Sequence, residues 1–234
     1  EAWNGMFGIS ARNWLIHGPL ELRFAQMTPY SPEKILPEIT KTYFLNHPNF
    51  YIAPTAISYF LFGTGEWQTR LGPIVMSLLS FIFFWFLIKR AFKNPALTVI
   101  SSVFFIFFPV GIYYGRMLTQ EPITMPFTLA LFLAAITFEE ERKRKYLALL
   151  TLTAFLGGLM DWPFFFASAA VFGYVALKHD YPNRKKTLIA LITASAAALA
   201  VTLIQIWAVA DTNPFAFLYS LFGQRTAGPS IFFL

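Results

Sequence analysis

Six runs free of Asp, Glu, Lys and Arg follow one another down the chain: Leu71–Ile88, Asn94–Gly115, Pro122–Phe138, Tyr146–Met160, Trp162–Leu177 and Thr187–Ala210. A membrane-spanning helix needs about 20 apolar residues, within a range of ~17–25. Four of the runs reach or approach that length. The two that meet around Asp161 are shorter, but each is flanked by a basic cluster on its other side. The pattern predicts an all-α, polytopic transmembrane bundle of about six spans. The last run is rich in Ala, Ser and Thr, which allow close helix approach, so it is expected at the centre of the bundle.

Upstream the pattern changes. Trp3, Met6, Phe7, Ser10 and Trp14 recur at helical spacing, opposite Glu1, Gly8 and Arg12, and Gly18-Pro19 ends the helix they predict. Such a face suits the membrane interface or a protein partner, and the sequence supports both equally. Residues 19–46 hold four prolines without a sustained period and read as a surface loop. Ile52–Phe62 is aromatic-rich but too short to span, so it is expected to be a second interfacial helix, closed by Gly63-Thr64-Gly65. Three regions result: a first extracytoplasmic loop over 1–70, the transmembrane bundle over 71–210, and a further loop with the start of another segment over 211–234.

Composition agrees with a membrane protein. Of the 234 residues 56% are hydrophobic and only 13% charged, against about 25% charged in soluble domains. The net charge of +6 does not point to nucleic acid. Lys89, Arg90 and Lys93, then Arg142 to Lys145, then Lys178 with Arg184, Lys185 and Lys186 occupy short loops that alternate with the apolar runs. Cytoplasmic loops carry such an excess. With these loops inside, residues 1–70, Arg116–Glu121, Asp161 and Asp211 fall on the far side. The absence of cysteine excludes disulfides and thiolate metal sites. A chain opening on Glu1 and closing on Ile231-Phe232-Phe233-Leu234 reads as part of a longer protein.

The chemistry is expected on that far side. Charge is costly within hydrocarbon, yet Arg116 and Glu121 interrupt what otherwise reads as a helical hairpin, between Gly115 and Pro122. Arginines there suit a phosphate, because guanidinium binds it through two parallel hydrogen bonds. A carboxylate beside them can serve as general base or as ligand to a divalent cation. Each residue also has a plainer reading. Glu121 can cap the helix that Pro122 opens, and Arg116 can snorkel to the headgroups. Arg70 can snorkel too, or pair with Glu66 four residues earlier. His47 can be an ordinary loop residue and Asp161 a turn residue. No P-loop, G-x-S-x-G, H-E-x-x-H or G-x-G-x-x-G is present.

His47-Pro48-Asn49-Phe50-Tyr51, Tyr59-Phe60-Leu61-Phe62-Gly63 and Glu66-Trp67 with Arg70-Leu71-Gly72-Pro73 resemble the block that marks GT-C type polyprenyl-phosphate-sugar glycosyltransferases. That family includes the protein O-mannosyltransferases and the lipid A aminoarabinose transferases. Tyr114-Gly115-Arg116 followed by Glu121-Pro122 resembles a later segment of the same family, and the likeness covers roughly Glu1 to Leu177. It implies an inverting transferase with a lipid-phosphate donor and an Asp-Glu pair in the first extracytoplasmic loop. Glu1 would be the second member of that pair; the aspartate, which activates the acceptor, would lie just before it. On that expectation the chain alone lacks its main base and is inactive as it stands. Asn49 stands where the family has a second proline. Asp161-Trp162 stands where relatives carry a lysine, which leaves Asp161 without a role inherited from them.

The resemblance thus implies a multi-pass protein of a prokaryotic cell membrane with its active side extracytoplasmic. Glu1 and Glu121 are the expected catalytic residues, and Arg70, Arg116 and His47 are expected to bind the donor phosphate. The metal is unknown, and no cofactor beyond an optional divalent cation is implied. The expected partners are a polyprenyl-phosphate sugar, the bilayer and an acceptor protein, lipid or glycan, with no nucleic acid. A transporter or flippase of a lipid-linked sugar and a non-catalytic membrane subunit are the alternatives.

Overall fold

A computed structural model describes residues 2–28, 43–210 and 213–226. Among them the chain is helical apart from one two-residue ladder. Helix α1 (Ala2–His17) ends where Gly18 takes a positive φ of 85°, a conformation that suits a residue without a Cβ. Strands β1 (Gln26–Met27) and β2 (Tyr43–Phe44) pair antiparallel, with Gln26 opposite Phe44. A 3₁₀ turn, Asn49–Ile52, leads into α2 (Ala53–Phe62). The expected second helix is therefore present, and Ile57, Phe60, Leu61 and Phe62 on it are exposed.

Among the described residues three helices are long and apolar enough to cross a membrane: α3 (Glu66–Phe92), α6 (Gln120–Glu141) and α9 (Arg184–Ala210). Helix α3 begins ahead of the expected boundary at residue 70. The second apolar run is broken. Pro109 separates α4 (Pro95–Phe107) from α5 (Pro109–Tyr114), because proline cannot continue the ladder of backbone hydrogen bonds. Helices α7 (Arg144–Gly158) and α8 (Pro163–Leu177) form the short hairpin around Asp161, and α10 (Pro214–Thr226) follows α9.

Helix α6, not α9, is central. It packs on α3, α7 and α8, and 56% of its apolar window is buried, against 28% for α9. The small residues of α9 do allow close approach, but along one face only. Ala194 and Ala198 are buried there, and a Cβ added at Gly158 of α7 would stand 2.8 Å from that of Ala198.

Among the described residues two large apolar cores result, with a small third one of Ala25, Leu45 and Ile206. Leu131, Ala135, Phe138, Leu150, Phe164, Val171 and Leu191 fill the bundle of α6 to α9. Phe7, Trp14, Met27, Tyr51, Ile52, Met76, Leu118 and Ile123 join the N-terminal segments to α3 and α6. Of the two readings of α1, the structure therefore takes packing against protein. Trp14 is buried and its indole N–H donates to the Ala25 carbonyl at 2.8 Å.

The charges divide between the ends of the bundle. At one end Arg90 reaches Glu140 and Glu141, both at 2.7 Å, Lys93 and Lys143 join them, and Lys178 meets Glu139. The basic turns of α3, α6 and α8 thus close on the acidic terminus of α6. Arg70, Arg116, Glu121, His47 and Asp161 lie toward the opposite end.

Candidate functional site

At that opposite end a cavity of about 1130 Å³ opens between α3, α4, α5 and the start of α6. Its walls are apolar: Phe81 and Phe84 from α3, Phe104 and Phe105 from α4, Ile112 from α5 and Met125 from α6. Ile74, Ser77, Leu78, Phe81 and Phe84 follow helical spacing along one face of α3. Ten residues at 1.5 Å each carry that wall through roughly 15 Å. Phe84 and Phe105 stack at 4.4 Å toward its far end. Arg116 and Glu121 stand at the other end, beside Tyr114 and Gly115. Both are exposed, and neither forms an ion pair among the described residues. A long apolar channel with one cation and one carboxylate at its wet end can hold an amphiphile with an anionic head.

The structure brings Arg116 and Glu121 together in this lining and leaves Arg70 and His47 out of it. Arg70 sits one turn before Ile74, where its guanidinium donates to Glu66 at 2.7 Å, the local pair that the i,i+4 spacing allows. His47 faces another partner: its Nδ1 lies 2.7 Å from Oδ1 of Asp161. The Asp161 side chain is only 7% exposed and also accepts from the Trp162 backbone N–H at 2.8 Å. The Trp162 indole N–H donates to the Asn46 carbonyl at 2.8 Å, so two side chains of the α7–α8 turn hold the segment before the 3₁₀ turn. Glu1 and Asp211 lie outside the described residues.

Tyr51 lies on the 3₁₀ turn that follows His47. It is fully buried, and its hydroxyl donates to Oε1 of Gln26 at 2.9 Å. Burial raises its phenol above the ordinary tyrosine pKa. Hydrogen bonds to Gln26 and Gln120 oppose that rise, and the negative charges of Asp161 and Glu121 add to it. Asn49 continues the polar layer, donating to Gln205 of α9 at 3.0 Å, and Gln205 donates to the Arg23 carbonyl at 2.9 Å. Sequence reasoning missed Tyr51, Gln26 and Gln205. Tyr51 meets Gln26 from 25 residues away and Asn49 meets Gln205 from 156, and no local signal pairs residues so far apart. Among the described residues no three His, Asp or Glu side chains gather as a metal set.

A family model described as dolichyl-phosphate-mannose-protein mannosyltransferase matches residues 46–207. The fold is similar to the apo crystal structure of ArnT from Cupriavidus metallidurans, with a TM-score of 0.66 and 16% identity. That similarity covers 92% of this chain and 39% of the other, so the chain spans well under half the length of that protein. No curated protein sequence matches.

Proposed function

The chain belongs to the dolichyl-phosphate-mannose-protein mannosyltransferase family of GT-C glycosyltransferases, and from that premise we propose that it serves sugar transfer from a polyprenyl-phosphate donor to an acceptor hydroxyl on the extracytoplasmic side. The observation that carries this reading is the cavity, an apolar channel ending at Arg116 and Glu121. The polyprenyl tail lies along α3 and α4, and the phosphate meets Arg116, whose guanidinium offers it two parallel hydrogen bonds. We assign the phosphate to Arg116 over Arg70 because Arg116 lines the cavity, whereas Arg70 is held by Glu66. His47 is engaged with Asp161 outside the lining, so no phosphate contact is assigned to it.

In the reaction the acceptor oxygen attacks the anomeric carbon and its proton passes to a carboxylate base. The bond from that carbon to the phosphate oxygen breaks on the opposite face, so the configuration inverts. The lipid phosphate leaves with the electron pair, and Arg116 stabilises its growing charge. We place the base in the acidic pair to which Glu1 belongs. Glu121 orients the acceptor or holds a divalent cation. Such a cation would take Glu121 as its one carboxylate from the cavity lining, with the donor phosphate supplying further oxygens.

The test is transfer from a radiolabelled lipid donor by the full-length protein carrying Arg116→Ala or Glu121→Ala. A loss of about 10²-fold or more is expected, the scale for removing a group that stabilises developing charge. Near-normal turnover in both variants refutes the assignment. Movement of the labelled lipid without linkage of sugar to acceptor would favour a flippase.

A further inference from the structure

We propose that Ser77 is a positioning residue for Arg116, setting the phosphate end of the channel from the neighbouring helix; the inference rests on the donor-site reading above. Arg116 lies in the short connection between α5 and α6, where no helical ladder fixes its backbone. Two anchors do so instead. On one side Leu118 is fully buried in the core that joins the N-terminal segments to α3 and α6. Tight turns flank it, with the Met117 N–H donating to the Tyr114 carbonyl at 2.8 Å and the Thr119 N–H to the Met117 carbonyl at 2.9 Å. On the other side the Ser77 hydroxyl donates to the Gly115 carbonyl at 2.8 Å.

That carbonyl belongs to the peptide unit that also carries the Arg116 N–H. Because the unit is planar, fixing its oxygen fixes the direction in which the chain enters Arg116. The bond is not the default for a helical serine, which tends to return its hydroxyl to the carbonyl four residues earlier. Ser80, one turn along on α3, does that, donating to Met76 at 2.9 Å. Ser77 reaches across to the connection instead. The contact also needs glycine opposite: a Cβ at Gly115 would stand 2.5 Å from the Gly111 carbonyl oxygen and 3.1 Å from the Ser77 hydroxyl. Ser77, Gly115 and Arg116 all line the cavity. Without the hydroxyl, the turn keeps its buried leucine but loses the constraint on the side that faces the donor.

The experiment uses the full-length protein, with undecaprenyl phosphate as binding probe and a radiolabelled lipid donor for turnover. Ser77→Ala is expected to raise the donor KM and the Kd for undecaprenyl phosphate about 5- to 10-fold, the scale of one lost hydrogen bond in binding, and to lower kcat by no more than that factor, since Arg116 also meets the charge growing on the leaving phosphate. Ser77→Thr, which keeps the hydroxyl, is expected to restore both values. Gly115→Ala displaces the end of α5 as well as crowding the hydroxyl, since its Cβ would stand 2.5 Å from the Gly111 carbonyl oxygen, and is expected to raise KM at least as far. Wild-type KM in Ser77→Ala overturns the inference, as does a fall in kcat alone with KM unmoved. So does a Thr variant as impaired as Ala. If Arg116→Ala leaves undecaprenyl phosphate binding unchanged, the donor-site reading itself fails. If Arg116→Ala weakens binding and Ser77→Ala does not, only the role of Ser77 falls.

Discussion

Removing the carboxylate of Asp161 is expected to loosen the join between the N-terminal segments and the bundle. Its Oδ1 accepts from His47 Nδ1 at 2.7 Å and from the Trp162 N–H at 2.8 Å, with the side chain almost wholly out of solvent. A hydrogen bond to a charged acceptor contributes about 1.5–3 kcal/mol, and a buried donor left unpaired costs a similar amount. Asp161→Ala is therefore expected to cost ~3 kcal/mol. Asp161→Asn keeps an acceptor in the same place, and neutral bonds are roughly half as strong as charge-assisted ones, so ~1.5 kcal/mol is expected. For a chain of this size those values correspond to apparent Tm losses of about 6–12 °C and 3–6 °C, read in detergent at one scan rate. His47→Phe is the useful second mutation, since the His47 ring stacks on Phe44 at 6.0 Å and a phenyl ring keeps that contact. If the pair is what matters, the double mutant loses about 1.5–3 kcal/mol less than the sum of the two single changes. Additivity within ~0.5 kcal/mol would refute the reasoning.

Other changes probe the packing and the charged end. Gly158→Ala is expected to cost about 1–3 kcal/mol by overpacking α7 on α9, because the new Cβ would stand 2.8 Å from that of Ala198. Gly173→Ala, whose Cβ would meet nothing within 4 Å, is expected to be neutral or to stabilise α8 by up to ~1 kcal/mol; thermal unfolding of the pair decides, and equal losses would contradict the close-approach argument. Arg90→Ala is expected to cost no more than ~1 kcal/mol despite two carboxylate partners, since all three side chains are about a quarter to a third exposed and water screens such pairs; a loss several times larger would show a desolvated network. Arg142 ends α6 with a positive φ of 56°, so Arg142→Gly is expected to raise stability by a few tenths to ~1 kcal/mol, and a lower Tm would contradict the strain.

The apolar runs made the spans legible because insertion depends on stretches without charge, and α3, α6 and α9 appear where those stretches lie. Which helix is central was not legible. Lipid tails and protein interiors are equally apolar, so composition does not say which a given face meets. Small residues pointed to α9, yet they occur all round it and only one face, with Ala194 and Ala198, is buried, while α6 is enclosed by α3, α7 and α8. Arg116 and Glu121 could be found because charge interrupting hydrocarbon is costly wherever it occurs. The partnership of His47 with Asp161 could not, since 114 residues separate them and each has an ordinary reading alone. The local pair Arg70–Glu66 was legible for the opposite reason: helix geometry alone brings residues four apart together.

The interruption at Pro109 has a cost that reaches into the channel. Proline carries no N–H, so the carbonyl of Phe105, four residues earlier in the cavity wall, cannot complete the bond an unbroken helix would give it. A hydrocarbon tail has nothing to offer that oxygen, and lipid cannot solvate it. That main-chain acceptor therefore calls for a donor from α5 or from a polar group at the break, which gives the otherwise apolar cavity wall one polar requirement along its length.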